Sequence, residues 1–438
     1  MKRRFLVILI MLSIVILLMA CGNSDGSEVK ETSSAESMVD NEGNDEADET
    51  NEPVQVENKN DMQEQTETDE QQFTGQELIV ESDYANLVES EGFVFENNGD
   101  GTCTLTGIGT CDDADIVIPE KSPAGDIITI IAEYAFYGVE DVTSIVFAGR
   151  TMELDEKAFQ SCEVEKIVIT GCNLTVGENA FAYCEDVSEI YISNCTLEVD
   201  TYAFYGSGKD MDVEIVNCTG VLEDKAFQSC GIAALTINEC ILEIEENVFS
   251  YCEDLEVVTF NNSTVEIGTY AFYDSGDDAT VIFENCDVEM DDKAFQSCGL
   301  ITLNISDCET VMGENTFSYC EDLTDVTISA NNTEIGTYSF YDCTALINVS
   351  IAADSEDDNI KIIIESKAFQ SCAVQNVVIG RGELKIGDNA FSYCEDLASV
   401  EIKGSLLDVG DYAFYDCPDE LVIIYNGVDY DKESIEDI

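Results

Sequence analysis

The sequence contains no histidine, no tryptophan, and only 18 lysines and arginines against 92 aspartates and glutamates in 438 residues. Each shortage excludes something. Without histidine there is no Ser-His or Cys-His nucleophile pair and no imidazole metal site. A formal charge of −74 repels phosphate backbones, which removes nucleic acid as a partner class. What is present is a 45% share of hydrophobic residues and 19 cysteines. That apolar share is too high for a chain disordered throughout. Length alone suggests two or three domains, a prior that internal repeats override.

Residues 1–20 read as an export signal. Lys2, Arg3 and Arg4 precede an apolar run from Phe5 to Met19, shorter than the ~20 residues a spanning helix needs. The run ends in Leu18-Met19-Ala20-Cys21-Gly22, which resembles the lipobox of bacterial lipoproteins. The resemblance implies cleavage before Cys21, a diacylglyceryl group on its thiol, and anchoring to the outer face of the bacterial cell membrane. A plain secretory signal and an uncleaved anchor helix are the alternatives. Residues 21–72 then lose all hydrophobic periodicity. From Gly22 to Gln72 there are 17 acidic and 2 basic residues, the composition of a self-repelling, solvated tether. Its neutral-coil span would be roughly 40 Å.

The remainder repeats. A motif phenylalanine recurs at Phe136, Phe159, Phe181, Phe204, Phe227, Phe249, Phe272, Phe295, Phe317, Phe340, Phe369, Phe391 and Phe414. The spacing is 22 or 23 residues, with one gap of 29 before Phe369. Three variants rotate in order, as in Tyr134-Ala135-Phe136-Tyr137, Lys157-Ala158-Phe159-Gln160-Ser161-Cys162 and Asn179-Ala180-Phe181-Ala182-Tyr183-Cys184. Such a period signals a solenoid whose units bury their apolar sides only against one another. Alternation at Val187, Ile190 and Ile192, and again at Cys195, Leu197 and Val199, predicts two strands per coil. Ala180, Phe181 and Cys184 lie at i, i+1 and i+4, which predicts a short helical turn between strands. The fold expected is a β-rich solenoid of parallel strands and short helical turns, with about 13 coils over residues 130–420. The acidic stretch Ala352–Asn359 is expected to bulge from one coil.

The segment Glu334-Ile335-Gly336-Thr337-Tyr338-Ser339-Phe340-Tyr341-Asp342-Cys343, followed by Leu346, Val349 and Ile351, resembles the BspA-like class of leucine-rich repeats. Lys385 to Cys394 repeats it closely. The resemblance covers about residues 125–425. It implies an exported, surface-displayed recognition or adhesion protein and supplies no catalytic residues. Residues 73–129 read as a β-rich cap, with a hairpin around Asn97-Asn98-Gly99-Asp100-Gly101. Residues 421–438 read as a closing strand and tail, covering the open end of the stack.

Four sets of residues compete for a chemical role. Two cysteine ladders, one after the motif phenylalanine (Cys162 to Cys417) and one by the second strand (Cys172 to Cys308), have a coil spacing compatible with disulfides. Their apolar register and the serines at positions 207 and 275 favour small buried thiols instead. Asn97 to Thr102 has a superficial likeness to a calcium loop, but the bidentate ligand would fall on Gly107, so a turn is expected. Weak divalent-cation binding to so acidic a surface has no nameable site. The pairs Glu185-Asp186, Glu253-Asp254, Glu321-Asp322 and Glu395-Asp396 could in principle hydrolyse a sugar. They recur with the scaffold, however, whereas catalysis needs one special place. The fourth set is aromatic: Tyr137, Tyr205, Tyr273, Tyr341 and Tyr415 follow their phenylalanines, and a second tyrosine precedes each by two. One such pair every third coil, roughly 14 Å apart, suits recognition of an extracellular protein or glycan. It equally suits padding of the turns.

The function expected is a lipid-anchored, cell-surface binding or adhesion module, non-enzymatic and without cofactor or metal. An acidic envelope spacer with no discrete ligand is the alternative, and a polysaccharide-acting enzyme is the third reading.

Overall fold

A computed structural model describes residues 87–329, 331–352 and 360–435. Signal segment, Cys21, tether and the loop 353–359 lie outside the described residues. Two long sheets run side by side, each of 15 strands. One begins with Val94–Asn97 and Thr102–Gly107 and continues through the second strand of every coil to Ser405–Val409. The other begins at Asp115–Val117 and collects the first strand of every coil up to Val422–Tyr425 and Val428–Tyr430. All pairings along the stack are parallel. Antiparallel pairs occur at its two ends, where Val94–Asn97 folds on Thr102–Gly107 and Val428–Tyr430 folds on Val422–Tyr425. Each hairpin closes one end of one sheet, while Asp115–Val117 and Ser405–Val409 end the other two with a parallel neighbour on one side.

The register advances by one coil per strand. Leu197 lies between Leu174 and Gly220, and Ile192 between Ile169 and Ile215. Alternation decides which side chains enter the coil. Along Thr196–Val199, Leu197 and Val199 are buried while Thr196 and Glu198 are exposed. One continuous core runs the length of the stack. The strand Asp115–Val117 enters it ahead of Phe136, so the parallel stack extends N-terminal to the first phenylalanine motif.

No helix occurs among the described residues, so the helical turn expected at the Ala-Phe segment is not formed. The reason is visible in the backbone. The residue two before each motif phenylalanine and the residue two after it are left-handed, as at Lys157 (φ 59°) and Ser161 (φ 57°), or Asn179 (φ 56°) and Tyr183 (φ 60°). Two left-handed residues in five cannot sustain a right-handed helix. The amides alternate in consequence. Ala158, Gln160 and Cys162 donate within their own turn to Asp155, Lys157 and Phe159, while Lys157, Phe159 and Ser161 donate to Glu178, Ala180 and Ala182 of the next coil. A helical turn would satisfy its amides internally. This turn instead extends coil-to-coil hydrogen bonding around the corner, leaving few backbone groups unpaired.

Inside the turn the phenylalanines form an unbroken column from Phe136 to Phe414. Neighbouring ring centroids are 4.5–5.5 Å apart and nearly parallel. Each stacked pair adds about 0.5–1.5 kcal/mol beyond the burial of its area.

The eighteen described cysteines are free, and all but Cys111 are buried. Their thiols act as small polar bridges. In the turn column Sγ of Cys184, Cys252 and Cys394 donates to the carbonyl of Phe159, Phe227 and Phe369, one coil back. Ser207 and Ser275 donate through Oγ to Phe181 and Phe249 at 2.7 Å. That shared bond explains why serine replaces cysteine without disturbing the stack. In the other column the amides of Cys172, Cys195 and Cys218 donate to Sγ of the next cysteine along. Burial pushes the thiols of Cys162, Cys230 and Cys298 up to about 12, so they stay protonated and unreactive at neutral pH.

Candidate binding surface

The outer side of the Ala-Phe turn is built from three residue columns whose contents rotate with the three motif variants. Two residues before the phenylalanine stand tyrosine, lysine and asparagine in turn. One residue after it stand tyrosine, glutamine and a small residue. Two residues after it stand glycine or aspartate, serine and tyrosine. Because neighbouring coils stack in register, side chains from three successive coils meet in one cluster.

The central cluster shows the arrangement. Tyr270 and Tyr273 meet edge to face with centroids 5.3 Å apart, and Tyr251 of the preceding coil packs edge to face on Tyr273 at 5.6 Å. Nζ of Lys293, from the following coil, lies 4.9 Å from the Tyr270 ring centre and donates to its hydroxyl at 2.7 Å. The same four-residue pattern recurs at Tyr183, Tyr202, Tyr205 and Lys225, and at Tyr319, Tyr338, Tyr341 and Lys367. Edge-to-face rings and a cation over a ring each contribute about 0.5–1.5 kcal/mol. The end clusters are incomplete. Tyr134 and Tyr137 carry Lys157 but no preceding-coil tyrosine, and Tyr393, Tyr412 and Tyr415 have no lysine above them.

The five tyrosines singled out from the sequence therefore sit on one face but in different surroundings. Tyr137 and Tyr415, at the ends, are 54% and 50% exposed. Tyr205, Tyr273 and Tyr341 are half-buried, wedged between neighbouring coils. Burial, followed by the adjacent tyrosine of the preceding coil, raises the phenols of Tyr273 and Tyr341 above their ordinary range. The more exposed rings of the complete clusters are Tyr183, Tyr251 and Tyr319. Reasoning from sequence passed over these, and also over the lysines. The signal was there: tyrosine before cysteine in all four Asn-x-Phe-x-Tyr-Cys copies, and lysine at the same offset as tyrosine in the coil before.

Between clusters the face is polar and uncharged. Nε2 of Gln228, Gln296 and Gln370 donates to Oγ of Ser250, Ser318 and Ser392 in the next coil at 2.8–2.9 Å. Its margins are acidic. Glu156, Glu246 and Asp292 line one side, and Glu185, Glu253 and Glu321 the other, all exposed. Further round, on the outer face of the first sheet, Glu243, Glu266 and Glu289 occupy adjacent strands in register. Burial first, then neighbouring carboxylates, raises Asp200 and Glu223 there above the usual range. The Asn97–Thr102 segment is a hairpin turn, closed by Gly99 N–H on Asn97 Oδ1 and Thr102 N–H on Asp100 Oδ1.

The sequence matches the BspA-type leucine-rich-repeat region in six copies, over residues 115–233, 175–286, 243–359 and 362–435. The chain belongs to the BspA-type leucine-rich-repeat family. Every tyrosine cluster lies within the matched span. Among solved structures, the chain is similar to a leucine-rich repeat protein from Bacteroides ovatus, at 21% identity and TM-score 0.44, covering 78% of this chain and 90% of that one. It is similar also to a leucine-rich cell surface protein from Faecalibacterium prausnitzii, at 17% identity and TM-score 0.27, with coverage of 78% and 96%. A third likeness is to the pneumococcal vaccine antigen PcpA, at 14% identity and TM-score 0.29, with coverage of 77% and 93%. No match was found among curated proteins.

Proposed function

We propose that this BspA-type protein is displayed on the outside of a bacterial cell, held by a lipid on Cys21, and binds an extracellular macromolecule through the tyrosine-bearing turn face. The observation that carries the reading is the recurrence of one aromatic cluster, every third coil, on one face of a rigid stack. Binding rather than catalysis follows from that repetition. The carboxylate pairs at Glu185, Glu253, Glu321 and Glu395 recur with the coils and are exposed, with none singled out as a reacting pair would be. The strongly acidic chain favours a partner that is neutral or positively charged at its contact surface.

The experiment is a binding array of matrix proteins and glycans probed with the full chain in detergent micelles. Saturable capture that is lost on Tyr205→Ala, Tyr273→Ala and Tyr341→Ala together supports the reading. Capture of nothing at any concentration sinks it and leaves the envelope spacer. Fractionation of cells carrying Cys21→Ala tests the anchor: release of the protein from membranes is expected, and retention argues for a spanning segment.

A further inference from the structure

We propose that the turn face is a multivalent track for an uncharged linear polysaccharide, with its three complete subsites at Tyr202, Tyr270 and Tyr338. The inference rests on the reading of that face as the binding surface and names the ligand class.

Periodicity gives the first argument. The three complete clusters have the same composition and nearly the same geometry: ring-pair centroids 5.3–5.6 Å apart and a lysine 4.7–5.6 Å over the first ring. Three parallel-strand spacings separate successive clusters, roughly 14 Å. A globular protein without internal repeats offers no such spacing to match, whereas a polymer of identical units offers it along its whole length.

Charge gives the second. Carboxylates margin the track on both sides and repel a polyanion. Each subsite also carries a fixed lysine at its centre. Lys225 is already paired with Asp224 at 2.7 Å, and Lys293 with the Tyr270 hydroxyl. Asp274 and Asp342 follow Tyr273 and Tyr341 directly, so a polycation would bind the carboxylates of face and margins alike, diffusely and indifferently to the tyrosines. An uncharged chain meets repulsion nowhere. Its affinity has to come from the rings and from the amide and hydroxyl groups between them, such as Gln296 and Ser318. Tyrosine offers a large contact area with few rotors, and its hydroxyl can pair with sugar hydroxyls.

The test uses the full chain in micelles against neutral gluco-, xylo-, manno- and N-acetylglucosamine oligomers of increasing length, with heparin and polylysine as charged controls. Saturable binding of at least one neutral series is expected, unchanged by added salt. Its affinity should step up on the order of 10²-fold once the oligomer reaches a second cluster. The triple Tyr→Ala variant at 205, 273 and 341 should lose that step, and the matching triple Tyr→Phe variant, which keeps the rings, should retain most of it with the melting temperature unchanged. Failure of every neutral series, or binding that does not depend on oligomer length, overturns the polysaccharide track. If a protein is captured instead and lost in the Tyr→Ala variant, the face reading survives while this inference falls. Glycan binding that the Tyr→Ala variant leaves intact overturns both.

Discussion

The two sides of one turn follow different periods. On the inner side every coil supplies a phenylalanine, and the rings stack without interruption from Phe136 to Phe414. On the outer side the same backbone carries tyrosine, lysine and asparagine in rotation, and its full pattern returns only at every third coil. Packing makes the same demand of each coil, so the single period belongs to the core. The phenylalanine column does not need a period of three, although the scaffold shares it: first-sheet strands of 5, 6 and 7 residues recur in order from Glu189–Ser193 to Leu300–Ser306, and buried Ser207 and Ser275 stand three coils apart. The backbone argues the same way: Tyr202 (φ 59°) and Lys225 (φ 62°) are held left-handed, a conformation that costs a side chain with a full Cβ about 1–2 kcal/mol and that asparagine adopts more readily. The outer residues are thus not those the turn itself prefers.

The largest effect that can test this contrast is in the column. Phe272 is fully buried and stacks on both Phe249 and Phe295. Phe272→Ala should cost about 3–5 kcal/mol in denaturant unfolding. Because each coil contacts only its neighbours, hydrogen exchange should accelerate first in the coils on either side. Tyr273→Ala, one residue further and half out of the core, gives up two edge-to-face contacts and should cost about 1–3 kcal/mol. Equal costs at the two positions would erase the distinction between inner and outer residues.

How far this architecture could be read from sequence follows the same division. The phenylalanine spacing and the alternation at Leu197 and Val199 identify the coil, its strands and its core, because burial leaves a hydrophobic pattern. The hand of the turn leaves none. Lysine, serine and tyrosine at left-handed positions give no compositional warning, and i, i+4 spacing of apolar residues suits a helix equally well. The clue lay across coils rather than along them: Asn179, Asn247, Asn315 and Asn389 share a column with those lysines, and Gly138 and Gly206 share one with Tyr183 and Tyr251. The clusters themselves were half legible. Tyr202 and Tyr205 are close in sequence, but Tyr183 and Lys225 join them only once the coils are stacked. The tolerance of serine in the cysteine column was readable too, though not its cause, the hydrogen bond to the preceding phenylalanine carbonyl.

A smaller effect sharpens the comparison at the backbone. Lys225→Asn places in the lysine column the residue that Asn247 already provides one coil on. Relief of left-handed strain is worth about 1–2 kcal/mol, against roughly 0.5–1 kcal/mol for the lost cation over Tyr202 and at most about 1 kcal/mol for the exposed pair with Asp224. Summed, these terms span a destabilisation of about 1 kcal/mol to a stabilisation of about 1.5 kcal/mol, read from thermal or denaturant melts. A destabilisation above about 1 kcal/mol would mean that the lysine supports the fold, and the outer pattern would then count as packing.

The smallest effect per group concerns the acidic surface beside this face. Asp200 and Glu223 are raised above their ordinary values, chiefly by partial burial, then by Glu198, Glu153 and Glu178 at Asp200 and by Glu245 and Asp200 at Glu223. Glu214, on the other sheet, is raised by burial and by Glu189 and Asp212. A carboxylate whose folded pKa exceeds its unfolded one binds more protons when folded, so stability falls as pH rises through the interval between the two. Melting temperature should therefore increase as pH is lowered from neutral toward the ordinary carboxylate range near 4, and added salt at neutral pH should act in the same direction by screening the repulsion. Asp200→Asn should remove part of the pH response while leaving the phenylalanine column untouched. A melting temperature that falls steadily on mild acidification would show that carboxylates stabilised as anions, such as Asp100 with its hydrogen bonds from Thr102, outweigh the crowded ones. The acidic surface would then be a net support of the stack rather than a strain that the phenylalanine column has to overcome.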